Sequence, residues 1–139
     1  MHTEGMKHTL IILTAANLWN SLWRSFEGFV TECNRDTSRS SSKIDLETPD
    51  ASTPGLIAYW IMQKCESPSA DLEGSQQAQG ASFSHALKMR AAVSYHYAQD
   101  SGRGSEKYHQ DKSGNWLGNP ALSFTVSRYM ISLQRRKVC

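Results

Sequence analysis

Leu10, Leu13, Leu18, Leu22, Phe26, Phe29 and Val30 recur mostly at three- and four-residue steps, with Asn17 as one polar interruption. That is the period of an amphipathic helix, and it predicts a first helix over residues 7–32. Trp19 and Trp23 join Phe26 and Val30 in a second apolar row beside the first. The apolar surface of this helix is therefore broad and needs partners on more than one side.

The period then stops. Residues 34–53, from Asn34-Arg35-Asp36 through Ser38, Ser40, Ser41 and Ser42 to Thr53, are serine-rich, charged and nearly devoid of large apolar side chains. Such a stretch has little to offset its ordering entropy and is expected to be a linker. A short helix is expected over 54–65, with Thr53 as cap and Pro54 at the first helical position. Leu56, Ile57, Tyr59, Trp60, Ile61 and Met62 make it apolar almost all round as far as Cys65, which predicts burial. Residues 66–81 return to linker composition.

A third helix is expected to start at Ser82 or Ser84 and to end before Gly102 and Gly104, burying Ala86, Met89, Val93 and Tyr97. Lys112-Ser113-Gly114-Asn115 reads as a tight turn of a small hairpin near residues 107–117, between Tyr108 and Trp116. Asn119 and Pro120 are expected to open a fourth helix whose apolar stripe is Leu122, Val126, Tyr129, Met130 and Leu133. The fold class predicted is all-α: one small four-helix domain, with residues 1–33 as the N-terminal helix, 54–65 as a short buried helix and 82–139 as a basic helical region, joined by two long disordered linkers over 34–53 and 66–81.

Length and composition narrow this. At 139 residues the chain is the size of one ordinary domain, and its 39% apolar content together with 19 serines limits it to one modest core. No apolar stretch approaches the ~20 residues that span a bilayer, so no membrane partner is expected. Lys7 followed by Leu10 to Ala16 looks like a short signal peptide, yet the helical pattern runs on past Ala16. Cys33, Cys65 and Cys139 are odd in number and far apart, which argues against a disulfide framework and for a reducing compartment. The near-zero net charge hides a split. Residues 1–80 carry six Lys and Arg against ten Asp and Glu, whereas 81–139 carry nine against three. The basic half suits a polyanionic partner.

Candidate chemistry is sparse. His2, His8, His85, His96 and His109 and the three cysteines show no close pair with zinc-site spacing, so no metal or other cofactor is expected. No Gly-x-Ser-x-Gly or phosphate loop is present, and Gly102-Arg103-Gly104 reads as a helix end and turn. The row Tyr95-His96-Tyr97 reads as core packing rather than a base-stacking platform. What rises above this background is a set of cations: Lys88 and Arg90; Arg103, Lys107 and Lys112; and Arg128, Arg135, Arg136 and Lys137. Such residues neutralise phosphates; equally, they make an ordinary solvated face or complement a helix C-terminus.

Taken together, Ser84-His85-Ala86-Leu87-Lys88-Met89-Arg90-Ala91-Ala92, the Gly102-x-Gly104 turn, Gly118-Asn119-Pro120 and the segment from Val126 to Val138 resemble the N-terminal core-binding region of fungal tyrosine recombinases of the phage-integrase type, similar to those of Crypton-like mobile elements. The resemblance covers residues 82–138, while residues 1–65 share only a tryptophan-bearing helix and Ala58-Tyr59-Trp60 with it. It implies an α-helical, SAM-like half-clamp on double-stranded DNA. The family's catalytic tyrosine, arginines and histidine lie beyond the matched region, so no catalytic residue is expected here and the chain is expected not to be an enzyme. Tyr95, Tyr97 and Tyr129 fall within the helical pattern and are not that nucleophile.

The expected function is thus a truncated, non-catalytic DNA-binding module in the nucleus. Its expected contacts are Lys88, Arg90, Arg103, Lys107, Arg128, Arg135, Arg136 and Lys137, binding phosphates with little sequence readout. The alternatives are a helical module that self-associates or binds a full-length recombinase, and a non-functional fragment.

Overall fold

The structure, a computed structural model, describes residues 2–36, 44–66, 81–99 and 102–138, and in the first helix it describes side-chain surroundings from Asn17 to Arg35. The element order is α1 (His2–Asp36), α2 (Thr53–Glu66), α3 (Phe83–Gln99), a two-stranded antiparallel hairpin of β1 (His109–Gln110) and β2 (Trp116–Leu117), a 3₁₀ turn (Pro120–Leu122) and α4 (Phe124–Val138). Among the described residues the fold is all-α apart from that hairpin, as its periodicity predicts.

α1 is longer than the expected 7–32, and Leu10 and Leu13 of its predicted stripe lie outside the described side chains. From Trp23 onward the second predicted row enters the core: Trp23, Phe26 and Val30 meet Ile57, Trp60 and Ile61 of α2 and Met89, Val93 and Tyr97 of α3. Burying each large apolar side chain contributes about 1.5–3 kcal/mol, so this shared core is what holds four short elements together. α4 adds Val126, Met130 and Leu133 to it. Leu18 is exposed, and so is Tyr59 on α2, which is not buried all round.

Helix ends depart from the sequence expectation in two places. Asn119 and Pro120 open the 3₁₀ turn rather than the fourth helix. Ser123 caps α4, its Oγ accepting the Val126 N–H at 3.2 Å and its carbonyl the Ser127 N–H. At α2 the first helical bond runs from the Leu56 N–H to the Ser52 carbonyl, and the Thr53 hydroxyl accepts from the Asp50 N–H instead of capping. Ser82 is the cap of α3, with its Oγ accepting from the His85 N–H at 3.2 Å.

The connection 34–53 is only in part what its composition suggests. Residues 37–43 lie outside the described residues, but 44–52 are packed on the bundle. Asn34 brackets Ile44, donating to its carbonyl at 3.1 Å and accepting from its N–H at 2.9 Å. The Tyr97 and Tyr108 hydroxyls donate to the carbonyls of Leu46 (3.0 Å) and Asp50 (2.8 Å). The two tyrosine bonds come from distant residues, so composition within the segment could not announce them. In the second connection, 67–80 lie outside the described residues.

The predicted turn forms. Asp111 Oδ1 accepts the N–H groups of Ser113 and Asn115, Gly114 sits at φ +90°, and Tyr108 stacks on Trp116 with centroids 4.9 Å apart. Gly118 at φ +86° lies against the Lys107 backbone, where a Cβ would collide with the carbonyl group.

Candidate nucleic-acid interface

Helical geometry divides α4 into three sides. Val126, Met130 and Leu133 face the core. Tyr129 and Arg136 turn towards the end of α2, where the Tyr129 hydroxyl donates to Glu66 Oε2 at 2.8 Å and Arg136 Nε donates to Glu66 Oε1 at 2.6 Å. Phe124, Arg128, Ile131 and Arg135, at i, i+4, i+7 and i+11, form the outer side opposite the core stripe. Phe124 is 63% exposed and Ile131 51% exposed, and the Arg128 guanidinium lies 5.5 Å from the centre of the Phe124 ring.

The eight cations singled out from sequence do not form one patch. Arg90 is half-buried: its Nε donates to the Ala121 carbonyl at 3.1 Å and its Nη2 to Ser127 Oγ at 3.4 Å, tying α3 to the 3₁₀ turn and α4. Arg103, between Gly102 and Gly104 at positive φ, donates through Nη1 to the carbonyls of Trp116 and Gly118 and so anchors the hairpin. Arg136 is committed to Glu66 and also meets Ser132. Lys137 belongs to the same cluster, its charge acting on both Glu66 and Cys65. Arg90, Arg103 and Arg136 serve the fold first, and Lys137 is half-buried.

Four remain exposed: Lys88, Lys107, Arg128 and Arg135. Only Arg128 and Arg135 share a face, two turns and roughly 10 Å apart along the axis. Lys88 is two residues from Arg90 and therefore points to a different side of α3. Lys107 lies at the base of the hairpin, its backbone bridged to Asn119. No acidic residue occurs in Phe83–Gln99 or Phe124–Val138, so neither helix neutralises its own cations.

Glu66 is the acidic group that the sequence reading overlooked. Burial pushes its carboxyl up, but the Tyr129 and Arg136 hydrogen bonds and the Arg136 and Lys137 charges outweigh this and hold it below its ordinary range. Burial and the Glu66 carboxylate push the Tyr129 hydroxyl up in turn. Phe124 and Ile131 were also overlooked, although their spacing with Arg128 and Arg135 is readable on a helical wheel.

The aromatic row packs only in part as expected: Tyr97 is fully buried and half-buried His96 stacks on Trp23 with centroids 3.5 Å apart, but Tyr95 is exposed and meets Trp19 outside the core. Among the described residues no three His, Cys, Asp or Glu side chains gather as a metal ion would need, and no helix is long and apolar enough to cross a membrane. Compared with protein-family models, curated proteins and solved structures, the chain matches none of them.

Proposed function

We propose that the protein is a non-catalytic module that binds duplex DNA through its phosphates, with the outer face of α4 as the principal contact. The observation that carries this reading is the pair Arg128 and Arg135, both exposed on one face of a helix that contains no acidic residue. Lys88 and Lys107 are secondary contacts at separate places. The likeness of residues 82–138 to recombinase core-binding regions agrees with this reading, and a nuclear location would go with it. Because three of the eight expected cations serve the fold and a fourth, Lys137, is half-buried, affinity is modest and sequence readout weak.

Counterion release makes the test quantitative. With about four phosphate contacts, the logarithm of the binding constant falls with the logarithm of salt at a slope of roughly −3 to −4. Anisotropy titrations of a labelled duplex across a salt series should give that slope, and the Arg128→Gln, Arg135→Gln double variant should lose about two units of it. An unchanged slope in the double variant would rule out this face.

Phe124 and Ile131 favour a second reading, a protein-interaction or self-association module, since large exposed apolar side chains on one face mark interfaces. It requires a concentration-dependent mass in light scattering that is insensitive to salt and is abolished by Phe124→Ser with Ile131→Ser.

A further inference from the structure

α1 and α2 enclose an open cleft of about 470 Å³, within the roughly 300–1,000 Å³ range of small-molecule sites. Trp60, almost fully buried, forms its floor, and its indole N–H donates to Ser25 Oγ at 3.4 Å. Phe29 and Tyr59 form an aromatic wall with ring centres 5.6 Å apart, and Tyr59 is 47% exposed. Gly28 lines the cleft, and a Cβ there would meet nothing within 4 Å, which leaves room for a larger side chain.

Charge at the mouth is one-sided. The Glu32 carboxylate is engaged by Arg35 Nη1 at 3.2 Å, whereas Lys64 on the opposite helix has no acidic partner among the described residues. An aromatic wall, a nearly apolar floor and an ammonium with no ion pair among the described residues match a flat ring system carrying a negative group.

We propose that this cleft binds a small planar aromatic anion, its ring against Phe29 and Tyr59 and its negative group towards Lys64. The site lies apart from the outer face of α4 and does not depend on the DNA reading.

Calorimetric titration of the full chain with naphthoate, and with uncharged naphthylmethanol, tests it. The expected result is one site that prefers naphthoate by about two- to fivefold, the worth of an exposed ion pair, and Lys64→Gln should abolish that preference. Gly28→Leu fills the cleft while adding a better helix former, and should weaken both ligands at least about tenfold with the far-ultraviolet helical signal unchanged. Tyr59→Ala, which removes half of the wall at an exposed position, should weaken both ligands as well. No binding of either compound, binding undiminished in Gly28→Leu and Tyr59→Ala, or binding lost instead in Phe124→Ser on α4 would each overturn the proposal.

Discussion

The Arg90 guanidinium donates to the carbonyl of Ala121, a residue with no exposed surface, at 3.1 Å. A cation that sequence assigns to phosphate is thereby a bolt between α3 and the turn that leads into α4. Because the Ser127 hydroxyl accepts from the same side chain, both nitrogens have work inside the fold.

Arg90→Leu should therefore destabilise the protein by about 1–3 kcal/mol, the cost of stranding a buried acceptor. Arg90→Lys should recover little, since one ammonium cannot span both acceptors. Urea midpoints check this, together with duplex titrations of the folded variants. A loss of DNA affinity as large as that of the Arg128, Arg135 double variant, with stability unchanged, would contradict the assignment.

Asn119 is the most heavily used polar side chain in the core. It is fully buried; its Nδ2 donates to the Ser94 carbonyl at 2.9 Å and the Gly104 carbonyl at 3.1 Å, and its Oδ1 accepts the Ala121 N–H at 3.1 Å. Asn119→Ala should cost about 2–4 kcal/mol, because a fully buried amide loses bonds to three backbone groups at once. Asn119→Asp should be no better, since a carboxylate cannot donate to the two carbonyls. Denaturant unfolding of both variants measures the effect; an aspartate variant as stable as the parent would contradict the donor roles.

The Glu66 cluster gives an acid-side prediction. With its carboxyl held below the ordinary value of 4.5, Glu66 contributes stability that is complete above that value and is lost as pH falls through its lowered folded value. Glu66→Gln should be less stable than the parent by about 0.5–1 kcal/mol near neutral pH, a modest figure because Arg136 is half-exposed. The gap should close on acidification to about pH 3. A gap that stays constant over this range would exclude the linkage.

An alkaline prediction has the opposite sign. Burial pushes the hydroxyls of Tyr97, Tyr108 and Tyr129 up from 10.0, that of Tyr108 to about 12. Groups whose folded values are raised stabilise fully below the unfolded value and stop doing so as pH rises through the folded ones. Stability should thus be flat up to about pH 10 and then decline. Tyrosinate absorbance from these residues should appear together with loss of the helical signal; full ionisation of all tyrosines while the helices persist would refute it.

Much of the bundle was legible along the chain. The buried positions of α3, the Ser82 cap, the Asp111 to Asn115 turn and Val126, Met130 and Leu133 of α4 follow from spacing and local hydrogen bonding, which act within a few residues, whereas Leu122 and Tyr129 of the expected stripe lie in the 3₁₀ turn and against Glu66. Residues 44–52 of the first connection and the outer row of α4 show the limit of the same signal. Phe124 and Ile131 lie on a readable face, but whether another element covers that face is not written in its period.

Sequence by itself determined the core-facing positions of α3 and most of those of α4, because residue spacing fixes direction around a helix axis. It also determined the charge division between the halves. Only the tertiary structure decided what lies across from each side. Tyr129 reaches Glu66 across 63 positions and Tyr97 reaches Leu46 across 51, and no local pattern encodes such pairs. The same distances separate the cations that hold the fold from those that face water. Arg90, Arg103 and Arg136 differ from Arg128 and Arg135 only in having a buried carbonyl or a carboxylate within reach, and folding alone brings those partners near.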